Sequence, residues 1–157
     1  MDKKLQKKLF AKYPHFFRDR KKSSKVSRMH DGICCGDGWY YLIDQMCNKL
    51  LMIRKLSGVN IKYLQIKEKL ARLVIYYECT FKQHPKDGSV HDAIIIGKEQ
   101  DTIIGIIRSV VYAAEQGSSC ICEKCGNTRM KTKILDGGLF GYCDLCFKKL
   151  KQEKANK

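Results

Sequence analysis

CEKCGNTRMKTKILDGGLFGYCDLC, residues 122–146, carries two Cys-x-x-Cys pairs with 17 residues between them. A Cys-x-x-Cys turn presents two thiolates to one ion, and two such turns at this separation complete a tetrahedral set for zinc. Gly126, directly after Cys125, supplies a residue tolerant of positive φ. Between the turns, TRMKTKI alternates like a strand, DGG turns and LFGY returns, which is the pattern of a zinc ribbon. So short a segment buries little apolar area, so the ion takes the place of a core. The predicted ligands are Cys122, Cys125, Cys143 and Cys146, holding one structural Zn2+. A catalytic zinc keeps a position open to water, and four cysteines leave none. A redox dithiol needs only one pair, and Cys120 competes for a ligand place only through a less favourable Cys-x-Cys step.

Outside this segment the nine cysteines do not form a secreted disulfide framework: their number is odd, and Cys34, Cys35, Cys47 and Cys79 lack metal spacing. No apolar core of a signal peptide follows the basic N-terminus, and no run of about 18 apolar residues occurs. A reducing cytoplasm and no membrane association are expected.

The formal net charge of +15 is unevenly spread. Residues 1–28 contribute +9, residues 147–157 contribute +4, and the intervening 118 residues only +2. Basic ends attract polyanions by releasing counterions, and they also occur as solvated termini. The candidate phosphate contacts are Lys3, Lys4, Lys7, Lys8, Lys21, Lys22 and Lys25, with Lys148, Lys149 and Lys151. On the ribbon strand, Arg129, Lys131 and Lys133 share one face and Met130, Thr132 and Ile134 the other. Four basic against three acidic residues over Cys120–Cys146 weighs toward an ordinary wet strand face there.

The chain divides into three parts. Residues 1–28 read as a basic helix, ended at Tyr13-Pro14, and an exposed linker, RDRKKSSKVSR. Residues 29–117 read as an α+β core. In it, Trp39, Leu42, Ile43, Met46, Cys47, Leu50 and Ile53 fall at helical spacing. IKYLQIKEK and LVIYYEC read as strands. Asp92 to Gln116 reads as a largely buried helix. Residues 118–157 are the ribbon and a basic helix. The fold class is therefore α+β, helices packed on a small antiparallel sheet, with a C-terminal zinc ribbon.

MHDGICCGDGWYYLID, residues 29–44, brings His30, Asp31, Asp37 and Asp44 close in sequence. Asp37 stands where a helix N-cap belongs, and Gly36 and Gly38 permit a sharp turn beside Trp39. No nucleophile–base pair, phosphate-binding Gly loop or acid/base dyad is evident, and His15, His84 and His91 lack partners. No enzyme activity and no small-molecule substrate are expected.

The order of these pieces resembles a family of small, uncharacterised proteins of tailed phages and prophages. The resemblance rests on Tyr13-Pro14 with Phe16-Phe17, GICCGDGW with LIDQMC, QIKEKLARLVIYY, YAAEQGSSCICEKCG and YCDLC, which span residues 10–147. It implies a phage origin, a host-cell cytoplasm and the zinc-ligand role of Cys122, Cys125, Cys143 and Cys146. The family tends to have an acidic residue where Cys34 stands and glycines where Ala71-Arg72 stand. It supplies no activity. Two functional classes follow: an accessory factor that binds nucleic acid non-specifically, and an inhibitor or adaptor acting on a host protein complex.

Overall fold

A computed structural model of the chain describes residues 1–81, 90–128 and 130–155, with backbone alone over 90–97. The elements run α1 (Lys3–Lys12), β1 (Ile33–Cys34), α2 (Tyr40–Ser57), β2 (Asn60–Lys69), β3 (Arg72–Thr80), α3 (Val90–Ser118), β4 (Lys131–Leu135), β5 (Gly138–Tyr142) and α4 (Asp144–Ala155). Strands β1, β2 and β3 form one sheet in that order, and β4 and β5 form a separate hairpin. The expected antiparallel pair β2–β3 is present, and the two-residue β1 pairs parallel to β2, so the sheet is mixed. A strand of two residues has no periodicity for the sequence to display.

Local rules account for most boundaries. Asp2 caps α1 by accepting the Lys4 N–H at 2.7 Å, and Tyr13, before Pro14, ends it. α2 stops at Gly58, whose φ of 70° is left-handed and whose N–H returns to the Arg54 carbonyl at 2.9 Å. Its Ile43, Met46, Cys47 and Leu50 are buried, one stripe of a 3.6-residue helix.

The core joins α1 and α2 to the inner face of the sheet. Leu9, Tyr13, Phe16 and Phe17 are buried against Tyr63 of β2, with the Phe17 and Tyr63 ring centroids 5.1 Å apart. The Tyr63 hydroxyl lies 3.3 Å from the Cys47 thiol, and burial pushes that thiol up to about 12. The first 28 residues therefore supply part of the hydrophobic core. The stretch expected to be an exposed linker, 18–28, instead contains a 3-10 turn, Arg18–Lys21, and leads into a second, Arg28–Asp31. Asp19 is buried between Lys22 and Lys62, at 2.8 and 3.3 Å, and those cations hold its carboxyl below the usual range. A basic composition concealed one buried acid that organises it.

α3 is less buried than its apolar sequence suggests. Ile107, Val111 and Ala114 face the core, whereas Ile106 and Tyr112 are 49% and 61% exposed. The same helix closes the free edge of β3: the Leu73 N–H donates to Ser118 Oγ at 2.9 Å and the Ile75 N–H to Glu115 Oε1 at 2.8 Å. No helix among the described residues is long and apolar enough to cross a membrane.

The β2–β3 turn is strained. Leu70 and Ala71 have φ of 53° and 62°, both left-handed and neither glycine. Each such residue costs about 1 kcal/mol or more, and Leu70 is also 67% exposed. Leu70→Gly should raise stability by about 1 kcal/mol, measured as the urea midpoint at unchanged slope. An unchanged midpoint would show that the turn is not strained at this residue.

Candidate metal centre

Cys122 and Cys125 lie on a tight turn closed by two backbone bonds, Gly126 N–H to Cys122 O at 2.8 Å and Cys122 N–H to Asn127 O at 2.7 Å. Gly126 has φ of 79° there, as its sequence position predicts. Cys143 follows β5 directly, and Cys146 sits in the first turn of α4. The β4–β5 hairpin brings the two turns together, in register from Lys131↔Tyr142 to Leu135↔Gly138 around Asp136-Gly137.

The four Sγ atoms lie within 4.8 Å of one another, and those of Cys125 and Cys143 are 3.7 Å apart. A tetrahedron with Zn–S bonds of 2.3 Å has edges of about 3.8 Å, so the donor set fits a zinc-sized ion. The Cys146 backbone N–H holds the Cys143 thiol down to about 7, while burial and then the neighbouring thiols push Cys146 up. Four thiols so close cannot all ionise without a cation among them. Among the described residues no other group of three or more His, Cys, Asp or Glu has ligand geometry, and Cys120 lies outside this one.

The sequence did not reveal what the centre rests on. Its first turn docks on the GDGW segment of the core. The Gly38 N–H donates to the Glu123 carbonyl and the Gly36 N–H to Glu123 Oε1, both at 2.8 Å. The Trp39 indole N–H donates to the Ile121 carbonyl at 2.8 Å. A Cβ on Gly38 would lie 2.1 Å from the Cys122 carbonyl oxygen and 2.4 Å from the Gly126 nitrogen. Gly36 has φ of −72°, so close approach of two backbones, not a left-handed turn, requires glycine there. Burial pushes the Glu123 carboxyl up, and the Gly36 N–H pulls it partly back. On the far side, the Glu123 N–H donates to the Gly141 carbonyl at 2.9 Å, and Gly141 packs on Ala71.

Asp37 is not the cap of α2. The chain enters that helix through a 3-10 turn, Asp37–Trp39, so α2 begins at Tyr40 without a side-chain cap. The Asp37 carboxylate instead accepts the Asp2 N–H at 2.6 Å. His30 contacts the Lys22 carbonyl, and Asp44 accepts from Lys12 and Tyr13. His30, Asp37 and Asp44, close in sequence, thus have separate structural partners rather than one shared site.

Among the basic candidates, Lys3, Lys4, Lys7, Lys8, Lys21, Lys25, Lys131, Lys148 and Lys149 are exposed. Lys22 pairs with Asp19, and Lys133 with Asp144 at 2.5 Å. Lys133 and Lys151 both lie over the Phe147 ring. Lys133 is half-buried against Asp144 and Phe147 at α4 while Lys131 on the same face is exposed, and Ile134 on the other face is 71% exposed, so the strand has no division into a basic wet face and an apolar buried one. Arg129, His84 and the side chain of His91 lie outside the described residues. No family model, curated protein or solved structure matches the chain.

Proposed function

We propose that the chain is a phage-type accessory or regulatory factor of the host-cell cytoplasm that binds nucleic acid without sequence preference. In this reading Cys122, Cys125, Cys143 and Cys146 hold one structural zinc, and lysines do the binding. The observation that carries it is α1. Lys3, Lys4, Lys7 and Lys8 are all exposed on one folded helix, whose Leu9 is buried. A fixed row of cations loses less side-chain and backbone freedom on meeting phosphates than a disordered tail does.

The binding energy comes from counterion release. If the α1 lysines, Lys21 and one C-terminal lysine meet about six phosphates, log K falls against log salt with a slope near −5 on duplex DNA. Replacing Lys3, Lys4, Lys7 and Lys8 by glutamine should flatten that slope by about 3.5, read by fluorescence anisotropy at several salt concentrations. Removing residues 1–28 would be a poor test, because it removes Leu9, Tyr13, Phe16 and Phe17 from the core. An unchanged slope in the four-glutamine variant would move binding away from α1; no binding at low salt would end the nucleic-acid reading.

A second reading, a protein-binding inhibitor or adaptor acting on a host complex, draws on the exposed Ile106 and Tyr112 of α3. Capture of one defined host protein after nuclease treatment, with no oligonucleotide binding, would favour it.

A further inference from the structure

The outer face of the β2–β3 hairpin carries residues that local stability would not select. Gln65, Lys67 and Lys69 stand opposite Tyr76, Val74 and Arg72 respectively, so all six side chains share one face. The inner face is the one buried in the core, through Ile61, Tyr63, Ile66, Leu73 and Ile75. On the outer face Tyr76 is 45% exposed, with the Lys67 ammonium 5.5 Å from its ring centroid. Lys69 and Arg72 are directly paired across the strands, and like charges in that position repel. They flank the two left-handed residues Leu70 and Ala71. None of Lys67, Lys69 and Arg72 forms an ion pair among the described residues. A groove of about 400 Å³ opens beside them, lined by Lys69, Arg72 and Val74 and bounded by Glu115 and Gln116 of α3.

Backbone strain, like-charge opposition and an exposed ring thus fall within one short hairpin. Two-residue hairpins adopt left-handed turns, usually with Asn or Gly; Leu and Ala there carry strain of a kind that clusters at functional sites. An anion between Lys69 and Arg72 converts their repulsion into attraction to a shared phosphate. On the same face, two cross-strand pairs along and about 13 Å from Arg72, the Tyr76 ring offers a base a stacking surface, which an unpaired base can reach and a stacked duplex base cannot. We propose that this face binds single-stranded nucleic acid, with a base on Tyr76 and backbone phosphates on Lys67, Lys69 and Arg72. The proposal rests on the nucleic-acid reading above and names the strand type and a site distinct from α1.

The test uses the full chain and two fluorescein-labelled probes, an oligothymidylate of about 15 nucleotides and a duplex of the same length. Tyr76→Ala should weaken single-strand binding about tenfold, the loss expected for one stacked base, and leave duplex binding unchanged; Tyr76→Phe should restore it. Arg72→Gln should weaken single-strand binding and at the same time raise the melting temperature, because it ends the repulsion with Lys69. A purely structural residue would not give these opposite changes. If Tyr76→Ala and Arg72→Gln bind the single strand as the parent does while the duplex still binds, this site is wrong and the general reading stands. If the parent chain binds neither probe, both fall. Melting curves on each variant establish that the fold is intact, and both replaced side chains are exposed.

Discussion

Removing the metal, or replacing Cys143 by serine, should unfold the segment after Ser118 and also loosen the core around Trp39. Structural zinc binding in zinc-finger peptides is worth about 10–16 kcal/mol near neutral pH, comparable with the whole stability of a domain, about 5–15 kcal/mol. The hairpin has little to replace it: Ile134 and Leu145 are 71% and 74% exposed, and α4 has no fully buried residue. Without the ion, the turn at Cys122–Gly126 no longer holds the Ile121 and Glu123 carbonyls in place, and Trp39 and Gly38 lose their acceptors. Trp39 is the sole tryptophan and fully buried, so its emission reports this contact directly. Chelation should shift the emission to longer wavelength and lower the melting temperature of the remaining core. Trp39 emission that stays constant through complete metal removal would mean that the centre and the core are not coupled.

Gly38→Ala should be the most damaging glycine-to-alanine change among the described residues. The new carbon would meet three backbone atoms, the Cys122 and Glu123 carbonyl oxygens and the Gly126 nitrogen, at 2.1, 2.7 and 2.4 Å. Backbone cannot rotate aside as a flexible side chain does, so the turn must lift off the core. That loses the bonds at Gly36, Gly38 and Trp39, and a loss of 3 kcal/mol or more, ~3–5, is expected. Gly105→Ala is the internal control. It lies in exposed helix with nothing within 4 Å of an added Cβ, so helix propensity alone should stabilise by about 1 kcal/mol. Urea denaturation of both variants decides: a Gly38→Ala midpoint within error of the parent would contradict the docked turn.

What the sequence revealed was chemistry and period; what it concealed was pairing over distance. Two Cys-x-x-Cys turns announce their ligands because spacing alone limits how four thiols can meet one ion. The α2 stripe and the β2–β3 alternation are likewise local. GDGW was visible as a motif, yet its partner Glu123 lies 87 residues from Gly36, and nothing near Asp37 distinguishes a cap from a docking surface. The burial of Asp19 depends on Lys62, and the opposition of Lys69 and Arg72 depends on strand register. α3 reads as largely buried because its apolar residues exceed one stripe. Its excess, Ile106 and Tyr112, is exposed.

The most direct measurement is elemental analysis of the purified chain together with thiol counting under native conditions. One zinc per chain, with Cys122, Cys125, Cys143 and Cys146 protected from alkylation until a chelator is added, is the predicted result. A chain that holds no stoichiometric metal and whose four thiols alkylate freely while it remains folded would contradict the metal centre, and with it the reason for the ribbon.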